Sequence, residues 1–242
     1  YEISVRDWSS DVCSSDPPFN NKALRQAIAL GLDRNELKEV LLSGFGEPAR
    51  GPVVPGLWWF DPNFKGFGHD VEQAKRKLAE AGFPNGFRHK FVVENTPQWI
   101  RQAELLQGQL QKINVTLELE PVNTADAYAL IVQRKANWTH TRWTQRADPS
   151  GLLTILFHSK GFANSTGYSN PRVDELLDRA AVIYEPERRR PLYQEAERLI
   201  VDDVPYVFLN YTTEFAVMNR KVQNWGWIPD LIPRFRELWL ER

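Results

Sequence analysis

The sequence has one cysteine in 242 residues, at position 13. That excludes an intrachain disulfide and a cysteine-built metal cluster. Its four histidines, His69, His89, His140 and His158, show no His-Glu-x-x-His or similar ligand spacing. There is no Gly-x-Ser-x-Gly elbow, and no glycine-rich phosphate loop follows a strand pattern. His140 and His158 flank the most polar region, but a lone histidine is usually a surface or core residue. The reading is of a non-enzyme with no cofactor and no metal site. Charge of one sign is also lacking: 30 basic residues face 31 acidic ones, for a net charge of -1. A dedicated nucleic-acid partner would ask for a basic face. No apolar run approaches the roughly 20 residues that span a bilayer.

What is present is a core-forming chain, 42% hydrophobic, with nine Trp and 16 Pro. Its length suits one large or two modest domains. Residues 1–16 stand apart. Asp7 to Asp16 (Asp-Trp-Ser-Ser-Asp-Val-Cys-Ser-Ser-Asp) has neither helical nor strand period and resembles the translation of a sequencing-adapter oligonucleotide. Residues 1–16 are therefore taken as a doubtful, adapter-like, non-native segment and left out of the fold reading.

From Pro17 the pattern is α/β. Asn20 or Asn21 caps a helix over Lys22 to Leu32, and Asp33 with Glu36 forms a capping box for a second. That helix stops at Gly44-Phe45-Gly46. A Pro/Gly/aromatic loop containing Trp58-Trp59 follows, and it cannot be regular structure. Asp70 caps the next helix, closed by Gly82 and Pro84. Phe87 to Glu94 reads as a strand, Thr96-Pro97 starts a helix to about Ile113, and Val115 to Glu120 alternates with period two. Strand, helix and strand imply a right-handed parallel unit. A short helix around Ala125 to Lys135 leads to a strand ending near Trp143. Asn170-Pro171 opens a helix to about Ala181, and Pro186 opens another to about Val201. Val204 to Asn210 and Glu214 to Met218 read as two strands. The aromatic tail from Val222 to Leu240 reads as strand-rich.

The densest chemistry lies between Trp143 and Leu177. Trp143 either stacks on a ligand or fills the core beneath a cleft. Arg146 is a cation able to grip a carboxylate or phosphate in bidentate fashion; alternatively it pairs with Asp148 or another nearby carboxylate and only braces the loop. Asp148-Pro149 reads first as a turn device. Asn164, Tyr168 and Ser169 can hydrogen-bond a solute, although Ser169 and Asn170 also suit a helix cap.

Four segments in order carry a family resemblance: Pro17 to Arg34, Asp61-Pro62 with Asp70 to Phe87, Trp143 to Leu177, and Ile200 to Phe208. They resemble the family 5 extracellular solute-binding proteins, the oligopeptide- and dipeptide-binding components of ABC importers. The resemblance implies the truncated C-terminal α/β lobe of a two-lobe, periplasmic-binding-protein type II-like fold. Residues 17–211 would be that lobe. Residues 212–242 would return through the hinge to a first lobe, with Trp225, Trp227 and Trp239 on an apolar face left without its partner. It implies a peptide or similar small solute, held between the lobes and delivered to permease subunits. The implied protein is monomeric and periplasmic or extracytoplasmic, with the membrane reached only through a lipid anchor or the permease. In peptide-binding members an aspartate three residues after the cleft tryptophan pairs with the peptide's α-amino group. Here that position is Arg146, which points to a solute with an anionic group. The ligand contacts expected are Trp143, Arg146, Asp148, Asn164 and Tyr168. A solute-sensing domain of a transcriptional regulator with the same fold is the alternative, and a hydrolase a remoter one.

Overall fold

The computed structural model describes residues 4–12, for their backbone only, and residues 17–144, 146, 148–226 and 235–241. Its strands are β1 (Ser4–Val12), β2 (Glu47–Pro48), β3 (Phe87–Glu94), β4 (Val115–Val122), β5 (Trp138–Trp143), β6 (Tyr206–Glu214), β7 (Val222–Gln223) and β8 (Trp239–Leu240). Its helices are α1 (Lys22–Gly31), α2 (Arg34–Leu42), α3 (Val71–Glu80), α4 (Pro97–Gln111), α5 (Thr124–Val132), α6 (Leu153–Phe157), α7 (Pro171–Ala181) and α8 (Pro186–Asp203).

Most helix starts follow from short polar side chains placed before an apolar period. Asn21, Asp33, Asp70, Asn123 and Asn170 each accept hydrogen bonds from backbone N–H groups in the first turn of their helix. Thr96 before α4, Leu152 before α6 and Glu185 before α8 make no side-chain capping bond; α4 and α8 start on the preset φ of Pro97 and Pro186 instead.

Six strands form one mixed sheet in the order β2-β6-β1-β5-β3-β4. β3 is parallel to β4 and to β5, as the expected strand–helix–strand unit requires; the other pairings are antiparallel. The sheet divides two cores. Along β6, Val207 and Leu209 enter a cluster with α1, α3 and α4, whereas Tyr206, Phe208 and Tyr211 enter one with α6, α7 and α8. Tyr206 to Leu209 alternate as in a strand buried on both faces, and Tyr211 departs from that period past the register shift between Phe208 and Asn210.

Three points differ from the sequence reading. Ser4–Val12, left out of the fold reading as part of an adapter-like segment, runs within the sheet between β5 and β6. A ladder is made of backbone groups, so an extended segment can join it with no side-chain period to announce it. The two strands expected over 204–210 and 214–218 are one strand, β6, ending at Glu214. The β-branched pair Thr212-Thr213 stays in register with Arg6 and Val5 rather than turning. In the described part of the tail, strand is limited to the two-residue β7 and β8, paired with each other. Trp227 lies outside the described residues.

Candidate functional site

β5 carries the chain out of the sheet to Trp143, and a loop crosses to α6. Trp143 is half-buried against the second core, and its indole N–H is buried with no hydrogen-bond partner among the described residues. Arg146 is exposed. Its stem runs so close to Gly151 that a Cβ there would come within 2.9 Å of Arg146 Cβ and Cγ. Only glycine at 151 leaves room for this path.

Asp148 caps a 3-10 turn, Pro149–Gly151, by accepting from Ser150 N at 3.0 Å. Its two oxygens also accept from Arg189 of α8, Oδ2 from Nη1 at 2.8 Å and Oδ1 from Nη2 at 3.0 Å. Burial disfavours the Asp148 charge, but the Arg189 and Ser150 bonds outweigh it and hold the carboxyl below its ordinary value. The pairing of Arg146 with Asp148, one of the two expected roles, is therefore not formed. Arg189 takes that carboxylate, and Arg146 makes no ion pair among the described residues.

Arg189 has further contacts. Its Nη2 donates to Tyr193 Oη at 2.8 Å, and its guanidinium lies over the rings of Trp58, at 5.7 Å, and Tyr193, at 5.3 Å. The same helix holds the Pro/Gly/aromatic loop at successive turns. Arg190 Nε donates to Trp58 O at 2.8 Å, Gln194 Nε2 donates to Trp59 O at 3.2 Å, and Arg198 pairs with Asp61. Between them Glu197 accepts from the Val53 backbone, and burial pushes its carboxyl up to about 8. Thus α8 positions both the Trp143–Gly151 loop and the Trp58–Trp59 loop.

Asn164 and Tyr168 are turned inward. Asn164 Nδ2 donates to the carbonyls of His158 and Tyr168, and Asn164 Oδ1 accepts from Thr166 Oγ1 and Tyr168 N. Tyr168 Oη donates to Asp203 at 2.8 Å, and burial pushes its phenol far up. Asp203 also accepts from Lys22 and Asn170, which ties α1 and α7 to the end of α8. Both side chains spend their polar groups within the lobe. Of the five expected contacts, Trp143, Arg146 and Asp148 lie on one stretch of chain from the end of β5, and the Asp148 carboxylate is held by Arg189. The residues not anticipated are Arg189 and Trp58. Trp58 was legible as an aromatic in an irregular loop; Arg189 sits in Arg188-Arg189-Arg190, which reads as a solvated helix face. Among the described residues, no group of three or more His, Cys, Asp or Glu could hold a metal, and no helix is long and apolar enough to cross a membrane.

The chain matches the family model of bacterial extracellular solute-binding proteins, family 5, over residues 8–164. It is 28% identical over 216 residues to heme-binding protein A of Haemophilus influenzae, an alignment covering 86% of this chain and 40% of that protein. It is also 28% identical over 222 residues to the probable D,D-dipeptide-binding periplasmic protein of Escherichia coli, covering 90% and 43%. Among solved structures it superposes on HbpA2 from Haemophilus parasuis with a TM-score of 0.89 at 25% identity, covering 100% of this chain and 49% of that one. A periplasmic binding protein from Helicobacter pylori in complex with the peptide STSA gives a TM-score of 0.88 at 24% identity, covering 100% and 48%. The chain thus spans less than half the length of these proteins.

Proposed function

The chain belongs to the bacterial extracellular solute-binding proteins of family 5, and from that premise we propose that it is one lobe of the solute-binding component of an ABC importer, with the Trp143–Gly151 loop on its cleft face. The lobe is the one expected over residues 17–211, with β6 carrying it on to Glu214, and the rest of the tail to residue 242 returns toward a second lobe that closes on the solute. The complete protein works outside the cytoplasm as a monomer and hands its solute to the permease. Closure removes water from the solute, so a few well-placed polar groups then set specificity.

The solute carries an anionic group that pairs with Arg146. One observation supports this above the others: Arg146 is an exposed cation three residues after a half-buried tryptophan, and the carboxylate of Asp148 is already held by Arg189. A hydrogen bond to a charged group contributes about 1.5–3 kcal/mol, or roughly 10- to 150-fold in affinity. The test uses the two-lobe protein and a panel of dipeptides, each offered as the free acid and as the C-terminal amide. The acids should bind more tightly, and Arg146→Ala should weaken them at least tenfold while leaving the amides unchanged. Equal affinity of the acids for both proteins would remove Arg146 from the site.

A further inference from the structure

Two arginines meet at one small cavity. It has a volume of about 10 Å3 and lies where α1, α2, α8 and β6 come together. Arg34 of α2 and Arg50, just past β2, line it with Ala29, Phe67, Val201 and Phe208. Among the described residues its lining includes neither Asp nor Glu. Arg34 is 8% exposed. Its Nε donates to Phe208 O at 2.7 Å, and its Nη1 donates to Ala29 O at 3.0 Å and Leu32 O at 3.3 Å. Nη2 makes no hydrogen bond among the described residues. Half-buried Arg50 likewise has only carbonyl partners there, Pro62 O at 3.1 Å and Phe64 O at 3.5 Å from its Nη1.

A buried charge is ordinarily paired, because taking an ion out of water costs more than neutral dipoles return. A buried lysine escapes by shedding its proton, which a guanidinium cannot do. Burial pushes Arg34 down to about 10, so it is still charged at neutral pH. Asp33, its neighbour in the chain, favours that charge, but Asp33 Oδ1 accepts from the N–H groups of Asn35 and Glu36 and forms no ion pair with it. Arg189 and Arg198, by contrast, are paired with Asp148 and Asp61. The cavity thus joins two cations to a lining that supplies no counter-charge.

We propose that the cavity lined by Arg34 and Arg50 binds a monatomic anion, a halide such as chloride, which supplies the counter-charge that the lining lacks. The size of the cavity sets the class. There is room for one atom of about water's size, and carboxylate, phosphate and sulfate are too large. Water fits as well, but it brings no charge. A halide held there accepts from both guanidinium groups and so fastens α2 and the base of β6 to the loop that begins at Arg50. The site shares no residue with the Arg146 loop, and the inference does not depend on the solute.

The test follows thermal unfolding of the full chain while sodium chloride or sodium bromide replaces sodium gluconate at a fixed ionic strength of about 0.15 M. Gluconate is too large for the cavity. Either halide should raise Tm by about 2–4 °C over gluconate, along a saturable curve. Arg50→Gln removes one cation and leaves the carbonyl bonds of Arg34 in place, so it should abolish the halide effect. Arg76→Gln, which removes an exposed cation of α3, should keep it. Equal Tm in halide and gluconate would overturn the proposal. So would a halide effect that survives Arg50→Gln, or one that Arg76→Gln weakens equally, since that is general charge screening. If Arg50→Gln does not fold, anomalous diffraction from crystals of the parent grown in bromide decides. A bromide in the cavity beside Arg34 supports the site; a water there, or an empty cavity, refutes it.

Discussion

Asp148 and Arg189 show how a residue suited to ligand binding becomes architecture. Asp148 lies in the most ligand-like stretch of the chain, yet its carboxylate is bound in bidentate fashion by an arginine 41 residues away. Nothing local encodes that partner. The pair is half open to water on the aspartate side, so screening limits its worth. Asp148→Ala should therefore cost about 1–2 kcal/mol, mostly from leaving the largely buried Arg189 without its anion. Urea denaturation measures it, and a change below about 0.3 kcal/mol would mean that water or another acceptor replaces Asp148.

Glu197 makes the opposite case, a carboxyl held neutral. Burial raises its folded-state value from 4.5 to about 8. The folded state therefore retains a proton that the unfolded state loses first. The stabilisation is complete below about 4.5 and is lost as pH rises toward 8. It amounts to a few kcal/mol in order of magnitude. His140, whose imidazole burial pushes down to about 4, titrates in the acid part of the same range with the reverse slope. The difference between parent and Glu197→Gln isolates the glutamate. Stability of the parent relative to Glu197→Gln should fall between pH 5 and 8, and a pH-independent difference would show that Glu197 ionises freely.

Among the elements, helices with local signals were legible and contacts across the sequence were not. Asn21, Asp33, Asp70 and Asn170 announce α1, α2, α3 and α7 because a cap and an apolar period lie within one turn of each other. The parallel pair β3 and β4 was legible from length and period. β1 was not, because a backbone ladder needs no side-chain pattern. Nor was the role of α8, whose charged residues look solvated until the loop they hold is in place. Arg190 and Gln194 meet carbonyls 132 and 135 residues earlier. Replacing both by alanine should speed amide hydrogen exchange across residues 53–60 while leaving α1 and α4 protected. Unchanged exchange in that loop would assign its order to the apolar contacts of Trp59 alone.

For the whole molecule, the tail is the least self-sufficient part. Phe215, Val217, Trp239 and Leu240 are exposed, and a cavity of about 500 Å3 lined by Met218, Trp225, Phe235 and Trp239 opens among tail residues. Apolar surface of this kind promotes association. The chain on its own should form concentration-dependent oligomers in sedimentation, whereas the two-lobe protein should remain monomeric; a chain that sediments as a monomer at high concentration would contradict the assignment of residues 212–242 to a second lobe. On the proposed reading of the chain as one lobe, it carries one cleft wall and should bind dipeptides far more weakly alone than the two-lobe protein does.

The central claim is that Arg146 sets the charge of the solute, and charge reversal tests it most directly. Calorimetric titration of the two-lobe protein and its Arg146→Asp variant would use one dipeptide as three ligands: unmodified, with its α-amino group blocked, and with its carboxylate amidated. The account predicts that the variant loses affinity for the amine-blocked acid at least tenfold and gains affinity for the amidated ligand with a free amine. Identical affinities of parent and variant for all three would contradict it.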